Sequence, residues 1–106
     1  MWLFTTSGFL SIVDKGGDGT TLLVRARRKG EIESIFPDAV VVTSPRNDYL
    51  YRARIDREQV AQTMAEMIRN LGYQNFKATI QDTDFHDACM DVWEVMYRYQ
   101  NHRLKR

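Results

Sequence analysis

Cysteine occurs once in this chain of 106 residues, at Cys89. A lone thiol excludes an intramolecular disulfide framework and fits a reducing compartment, so a cytoplasmic location is expected. Histidine occurs twice, at His86 and His102, and no second His or Cys stands at metal-ligand spacing from either. Apolar runs are short, and none approaches the ~20 residues that span a bilayer. Met1-Trp2-Leu3-Phe4-Thr5 lacks the basic leader and long apolar stretch of a signal peptide, so no membrane association is expected. Charge of one sign is lacking too. Fifteen basic residues face 14 acidic ones for a net charge of +1, so no global field draws the chain toward nucleic acid.

A hydrophobic content of 43% with 27% charged residues describes a globular protein rather than a disordered one, long enough to bury its own core. The basic residues are uneven in kind, since 11 of the 15 are arginine, the side chain suited to bidentate contact with carboxylate or phosphate. They are uneven in place as well. Bases gather at Arg25–Lys29, Arg52–Arg57 and the end of the chain, and acids at Asp82, Asp84, Asp87, Asp91 and Glu94.

Trp2–Thr5 and Phe9–Val13 read as strand, with Gly8 as a bulge or bend in one longer strand. The loop from Asp14 to Thr20 carries three glycines, and leads as a hairpin into the strand Leu22–Arg27. Arg28 to Phe36 places Ile32, Ile35 and Phe36 at the spacing of a short amphipathic helix that Pro37 ends. Ala39-Val40-Val41-Val42-Thr43 is β-branched and almost wholly apolar, which predicts a buried central strand. After the turn Ser44–Asp48, Tyr49 to Ile55 alternates as the next strand.

Asp56-Arg57-Glu58-Gln59 resembles a capping box ahead of a helix with Val60, Met64, Met67, Ile68 and Leu71 on one face. Gly72 stops that helix. Tyr73–Ile80 is ambiguous, the four-residue spacing of Phe76 and Ile80 favouring helix. Asp82 or Thr83 caps a last helix whose stripe runs Phe85, Ala88, Cys89, Val92, Trp93, Met96 and Tyr99. The order β-β-α-β-β-α-α predicts an α+β fold, a ferredoxin-like variant. It would be a mostly antiparallel sheet of four to five strands with helices on one face. Residues 1–100 would form a single domain and 101–106 a basic tail.

Leu22-Leu23-Val24-Arg25-Ala26-Arg27 and Tyr49-Leu50-Tyr51-Arg52-Ala53-Arg54-Ile55 alternate in the same way. Successive side chains of a strand point to opposite faces, so Arg25, Arg27, Arg52 and Arg54 would share one face if the strands share a sheet. That face must be the outer one, because unpaired buried guanidinium groups cost several kcal/mol each. With Leu23, Leu50 and an aromatic from the first strand it would make a mixed apolar and basic platform. Such a platform suits an acidic protein partner, where Arg is enriched among hot spots. Single-stranded nucleic acid or RNA is the alternative. The RNP aromatic pattern is absent, however, and Tyr49 and Tyr51 alternate onto the face away from the arginines. A solvated face with cross-strand ion pairs is the plainest outcome.

Asp84, His86 and Asp87 are the best metal or acid/base candidates. Acids in a first helical turn are expected from the helix dipole alone, and adjacent residues on a helix diverge by about 100°, so no metal site is assigned. Cys89 lies on the apolar stripe and reads as a small buried hydrophobe. The loop Gly16-Gly17-Asp18-Gly19 precedes a strand and lacks the helix N-terminus of a phosphate cradle; no cofactor is expected. No acid, base and nucleophile converge, which favours binding over catalysis. The wide apolar surface around Met90, Trp93 and Tyr97 would suit a homodimer interface.

Trp2-Leu3-Phe4-Thr5-Thr6-Ser7-Gly8-Phe9, Leu23–Arg27, Tyr51-Arg52-Ala53, Asn75-Phe76-Lys77 and His86-Asp87-Ala88 through Trp93 to Met96-Tyr97 resemble stretches of a group of small bacterial and mobile-element proteins without an assigned activity. The resemblance implies one intact domain of that origin. It adds a further possibility, a stoichiometric inhibitor of a host defence complex, and it supplies no catalytic residue.

Overall fold

The computed structural model describes residues Met1–Asn101; most of the expected basic tail, from His102 onward, lies outside the described residues. The fold is α+β, with one open antiparallel sheet of five strands, as expected of a ferredoxin-like variant. The strands are β1 (Trp2–Thr5), β2 (Gly8–Val13), β3 (Thr21–Ala26), β4 (Val42–Thr43) and β5 (Tyr51–Asp56), followed by α1 (Arg57–Arg69) and α2 (Thr83–Gln100). The sheet order is β1-β2-β3-β5-β4. By compactness the chain divides into Met1–Gly72 and Tyr73–Arg106. Among the described residues no helix is long and apolar enough to cross a membrane.

In the first unit, alternation puts Leu10, Ile12, Val24, Ala26, Ala53 and Ile55 on one sheet face. They form the core with Ile32, Phe36 and Val60, and Leu3, Leu22, Val41 and Met64 pack around it. Burying each large aliphatic side chain there contributes about 1.5–3 kcal/mol. The register Val24↔Ala53 and Leu22↔Ile55 fixes which residues face inward. α1 contacts the sheet at β3 and β5. Of its predicted apolar face, Val60 is buried and Met64 and Met67 are half-buried, while Ile68 and Leu71 are exposed.

Four local expectations are corrected. Gly8 does not bend one long strand: Thr6-Ser7 turns the chain, and β1 pairs antiparallel with β2 from Thr5↔Gly8 to Trp2↔Ser11. Residues 28–36 form successive turns instead of a helix. Ile32 and Phe36 still reach the core with no exposure, because burial of two side chains decides the segment's path and helical hydrogen bonding is not needed for it. Ala39–Thr43 is no buried central strand. Only Val42–Thr43 pairs, at the sheet edge, and Val40 and Val42 are exposed. The apolar run reflects only Ala39 and Val41, which pack inward. The capping box is not made either: Asp56 precedes α1 with no side-chain cap bond, because it ends β5 opposite Thr21.

In the second unit, Lys77–Thr79 forms a single 3-10 turn in the stretch where helix was favoured. Asp82 caps α2, its carboxylate accepting from the Phe85 N–H at 3.3 Å. Cys89 is buried on α2, whereas Val92, Trp93, Met96 and Tyr99 of the predicted stripe are exposed.

Gly8 shows how tightly the 28–36 turns are tied to the sheet. Its φ of +147° is one that side chains rarely adopt, and an added Cβ would lie 2.6 Å from a Glu31 carboxylate oxygen. That carboxylate accepts from the Phe9 N–H and the Arg28 N–H, both at 3.0 Å. Gly8→Ala should therefore lower stability by about 2 kcal/mol or more. Adding Glu31→Ala should recover part of the loss, since it relieves the contact and leaves the backbone strain. Urea denaturation of the three variants checks this, and full recovery would assign the whole effect to the carboxylate.

Candidate functional site: the arginine face

The face of the sheet turned away from the core is set by the same register. Trp2↔Ser11, Ser11↔Arg25, Arg25↔Arg52 and Arg52↔Val42 form one row across all five strands. Leu23↔Arg54 lies in the neighbouring row, and Phe4↔Phe9 sits beside Trp2. The Trp2 and Phe9 rings meet edge-on at 5.9 Å, and Phe4 and Phe9 are tilted at 4.8 Å. One surface thus carries aromatic groups at the β1–β2 end, arginines in the middle and exposed valines at the β4 edge.

The four predicted arginines do not all converge. Arg25, Arg27 and Arg52 gather around Tyr49, and Arg54 turns elsewhere. The Arg25 and Arg27 guanidinium carbons lie 4.5 and 4.1 Å from the Tyr49 ring centroid, cation–π contacts worth about 0.5–2 kcal/mol each, depending on desolvation. Arg25 Nη2 donates to Ser11 Oγ at 2.7 Å, while its buried Nε has no hydrogen-bond partner among the described residues. Arg27 Nη1 donates to the Asp48 carbonyl at 3.1 Å. Arg52 Nε donates to the Tyr49 carbonyl at 3.4 Å, and its Nη2 lies 3.9 Å from the Asp48 carboxylate. Arg54 donates instead to the Lys15 carbonyl and, at 3.4 Å, to Thr21 Oγ1. It pins the Asp14–Thr20 loop, as does Arg57, paired with Asp14 at 2.9 Å.

Two expectations about this face change. Tyr49 does not stack in the core. β5 begins only at Tyr51, so strand alternation does not reach residue 49, and its buried ring lies beneath the arginines. The face is also less solvated than expected. Arg27 and Arg54 are exposed, but Arg25 and Arg52 are half-buried, with their charge spread over an aromatic face, a hydroxyl and carbonyl oxygens.

Sequence reasoning missed Tyr49 and Asp48 as members of the group. The available signal was the Asn47-Asp48 turn immediately before the strand, which frees residue 49 from its alternation. The row's most unusual feature is Arg25 directly opposite Arg52. Ser44 N–H donates to Leu50 C=O, so alternation along β5 makes Arg25 and Arg52 a non-hydrogen-bonded pair, the closer-set kind. Like charges placed so are destabilising.

The other candidates lie on α2, in the second unit. His86 Nδ1 is 3.7 Å from the Asp87 carboxylate. Among the described residues no group of three or more His, Cys, Asp or Glu side chains is arranged to hold a metal ion, so Asp84, His86 and Asp87 do not come together as one. Burial raises the Cys89 thiol above its ordinary pKa, opposite to the shift that activates a nucleophile. Asp18 is held below the usual carboxylate range by hydrogen bonds from the Thr20 side chain and backbone, and it orders the loop. On α2, Trp93 stacks on Tyr97 at 5.4 Å, with Lys77 Nζ 5.3 Å from the Trp93 ring.

No protein-family model, curated protein or solved structure matches this chain.

Ser11 is 1% exposed and is the hydroxyl acceptor of Arg25. Ser11→Ala should cost about 1 kcal/mol, the loss of a partly buried charge-assisted hydrogen bond. The cost should shrink when Arg25→Met removes the guanidinium as well. A double-mutant cycle by chemical denaturation measures it, and additive losses would mean that the bond contributes nothing. Cys89 should alkylate slowly in the folded protein and rapidly in denaturant, and speed up as pH rises toward its raised pKa. Rapid alkylation of the folded chain at neutral pH would contradict this.

Proposed function

We infer that this chain is a non-catalytic binding module that engages an acidic protein surface through the Arg25–Arg27–Arg52 group and its apolar flanks. The observation that carries the reading is the opposed Arg25·Arg52 pair. A destabilising juxtaposition of like charges, met in the described residues by one carboxylate at the long distance of 3.9 Å, is relieved when a partner brings anionic groups. Asp48 itself is exposed, so an incoming carboxylate can share or replace it. Trp2, Val40 and Val42 supply exposed apolar area on either side, and arginine beside aromatic and apolar groups is the composition of protein interface centres.

A second reading rests on one observation of its own. Trp2 and Phe9 lie on the arginine side of the sheet, and Tyr49 lies beneath two guanidinium groups, so stacking and phosphate contact could act together on a single strand of nucleic acid. The balanced net charge of +1 weighs against it, because committed nucleic-acid binders are usually basic as domains.

Fluorescence anisotropy with labelled poly-glutamate and labelled oligo-dT, at matched low ionic strength, separates the two. Acidic-protein binding predicts that poly-glutamate binds more tightly, and that Arg27→Ala with Arg52→Ala weakens it about tenfold or more, as loss of two charge-assisted contacts would. Tighter binding of oligo-dT, with a steep salt dependence, would move the assignment to nucleic acid. Binding of neither probe, or binding indifferent to the two substitutions, would remove the arginine face as a site.

A further inference from the structure

The arginine group carries more charge than one acidic side chain can match. Arg25, Arg27 and Arg52 gather around Tyr49 and the Asp48 turn. Among the described residues Arg25 and Arg27 have no ion-pair partner, and Arg52 has only the Asp48 carboxylate, 3.9 Å from its Nη2. Three positive charges against one negative leave a local excess of two.

Two of the guanidinium groups meet at one residue. Arg27 Nη1 donates to the Asp48 main-chain carbonyl at 3.1 Å, and Arg52 Nη2 is turned toward the Asp48 carboxylate. That carboxylate is loosely placed. Its side chain is 72% exposed, and its Oδ1 already accepts from the Tyr49 N–H at 3.0 Å. The two guanidinium groups are more firmly held. Arg27 rests on the Tyr49 ring at 4.1 Å, and Arg52 Nε donates to the Tyr49 carbonyl at 3.4 Å. Guanidinium forks fixed in this way favour a ligand with several acceptor oxygens on one centre. Arg25 is half-buried and donates to Ser11 Oγ, so it contributes charge more than contact.

We propose that the anionic group received here is a phosphomonoester on a side chain of a partner protein, with Arg27 and Arg52 as its direct contacts. The proposal rests on the arginine face being the binding surface and names the group that this surface takes. A phosphorylated side chain carries about −1.5 to −2 charge at neutral pH and several strong acceptor oxygens. It therefore meets the excess of two at a single point. A carboxylate brings one charge to that point, and a phosphodiester of nucleic acid also brings one. Val42 lies opposite Arg52 on the next strand and is 56% exposed, so the residues flanking the phosphorylated one meet apolar surface. That neighbour favours a peptide over a free phosphate ion, in the manner of other arginine-based phosphopeptide sites.

The test is fluorescence anisotropy of the full chain with labelled peptides that differ only in the central residue, flanked by leucines. At about pH 7.5 the phosphoserine peptide should bind about tenfold more tightly than the glutamate peptide, and the serine peptide should not bind measurably. At about pH 5.5 most of that preference should be lost, because the second phosphate pKa of about 6 returns the group to a monoanion. The glutamate peptide at both pH values controls for changes in the protein. Arg27→Ala with Arg52→Ala should abolish the preference. Asp48→Asn keeps an acceptor for the Tyr49 N–H and removes the resident charge, so it should tighten phosphoserine binding about threefold. The proposal is overturned by glutamate binding as tight as phosphoserine, by a preference unchanged at low pH or in the arginine variant, or by weaker binding to Asp48→Asn. Inorganic phosphate that competes as well as the peptide would overturn it too. Glutamate binding that needs the arginines but shows no phosphoserine preference would overturn this proposal alone. Binding of no peptide would remove the arginine face as a site as well.

Discussion

The register between β3 and β5 is the constraint on which the rest of this structure depends. Pairing Val24 with Ala53 and Leu22 with Ile55 puts a continuous apolar layer on the core face, and the same pairing sets Arg25 against Arg52 on the other. A slip of one residue in either strand would turn its arginines inward, because side-chain alternation has a period of two. Burying unpaired guanidinium groups costs more than a marginally stable domain can tolerate. The arginines therefore enforce the register that brings them together, and the core gains its alignment from the residues it excludes.

The clustered charge is managed locally. Tyr49 offers its ring to Arg25 and Arg27, Ser11 offers a hydroxyl, and two carbonyls and the Asp48 carboxylate accept the remaining contacts. Only one of these acceptors carries a full negative charge. Among the described residues the group is thus held in place without a complete set of ion pairs, which is the feature on which the proposed engagement of an acidic partner rests. Arg54 shows the contrast. Its hydrogen bonds go to the Asp14–Thr20 loop, where it organises backbone.

Both sides of that sheet face remain apolar, with Trp2 at one end and Val40 and Val42 at the other. The two open edges are not equivalent. β1 pairs with β2 along its full length, whereas β4 keeps two paired residues and leaves Val40 and Val42 exposed. A segment so rich in β-branched residues usually lies inside a sheet, and here it ends at the edge as a strand of only two residues, a length that itself limits edge-to-edge pairing.

The sequence by itself determined the fold class, the strands β2, β3 and β5, the two helices and the face on which Arg25, Arg52 and Arg54 lie. Each is a consequence of period-two or period-3.6 patterning, although the expected stop at Gly72 is not the one used: α1 ends at Arg69 with Asn70 as its C-terminal cap. It did not determine the path of residues 28–36, where the spacing of Ile32 and Phe36 satisfied a helix and an irregular turn equally and contact with the core chose the turn. It misplaced Ala39–Thr43, because an apolar β-branched run reads the same whether both faces are covered or one edge is bare. Only the tertiary structure decided that Tyr49 leaves the strand to lie beneath Arg25 and Arg27, and that Arg54 is drawn away to a loop. Those contacts join residues 22 and more positions apart, through side chains whose direction is fixed by packing and turn geometry and not by any periodicity that the sequence displays.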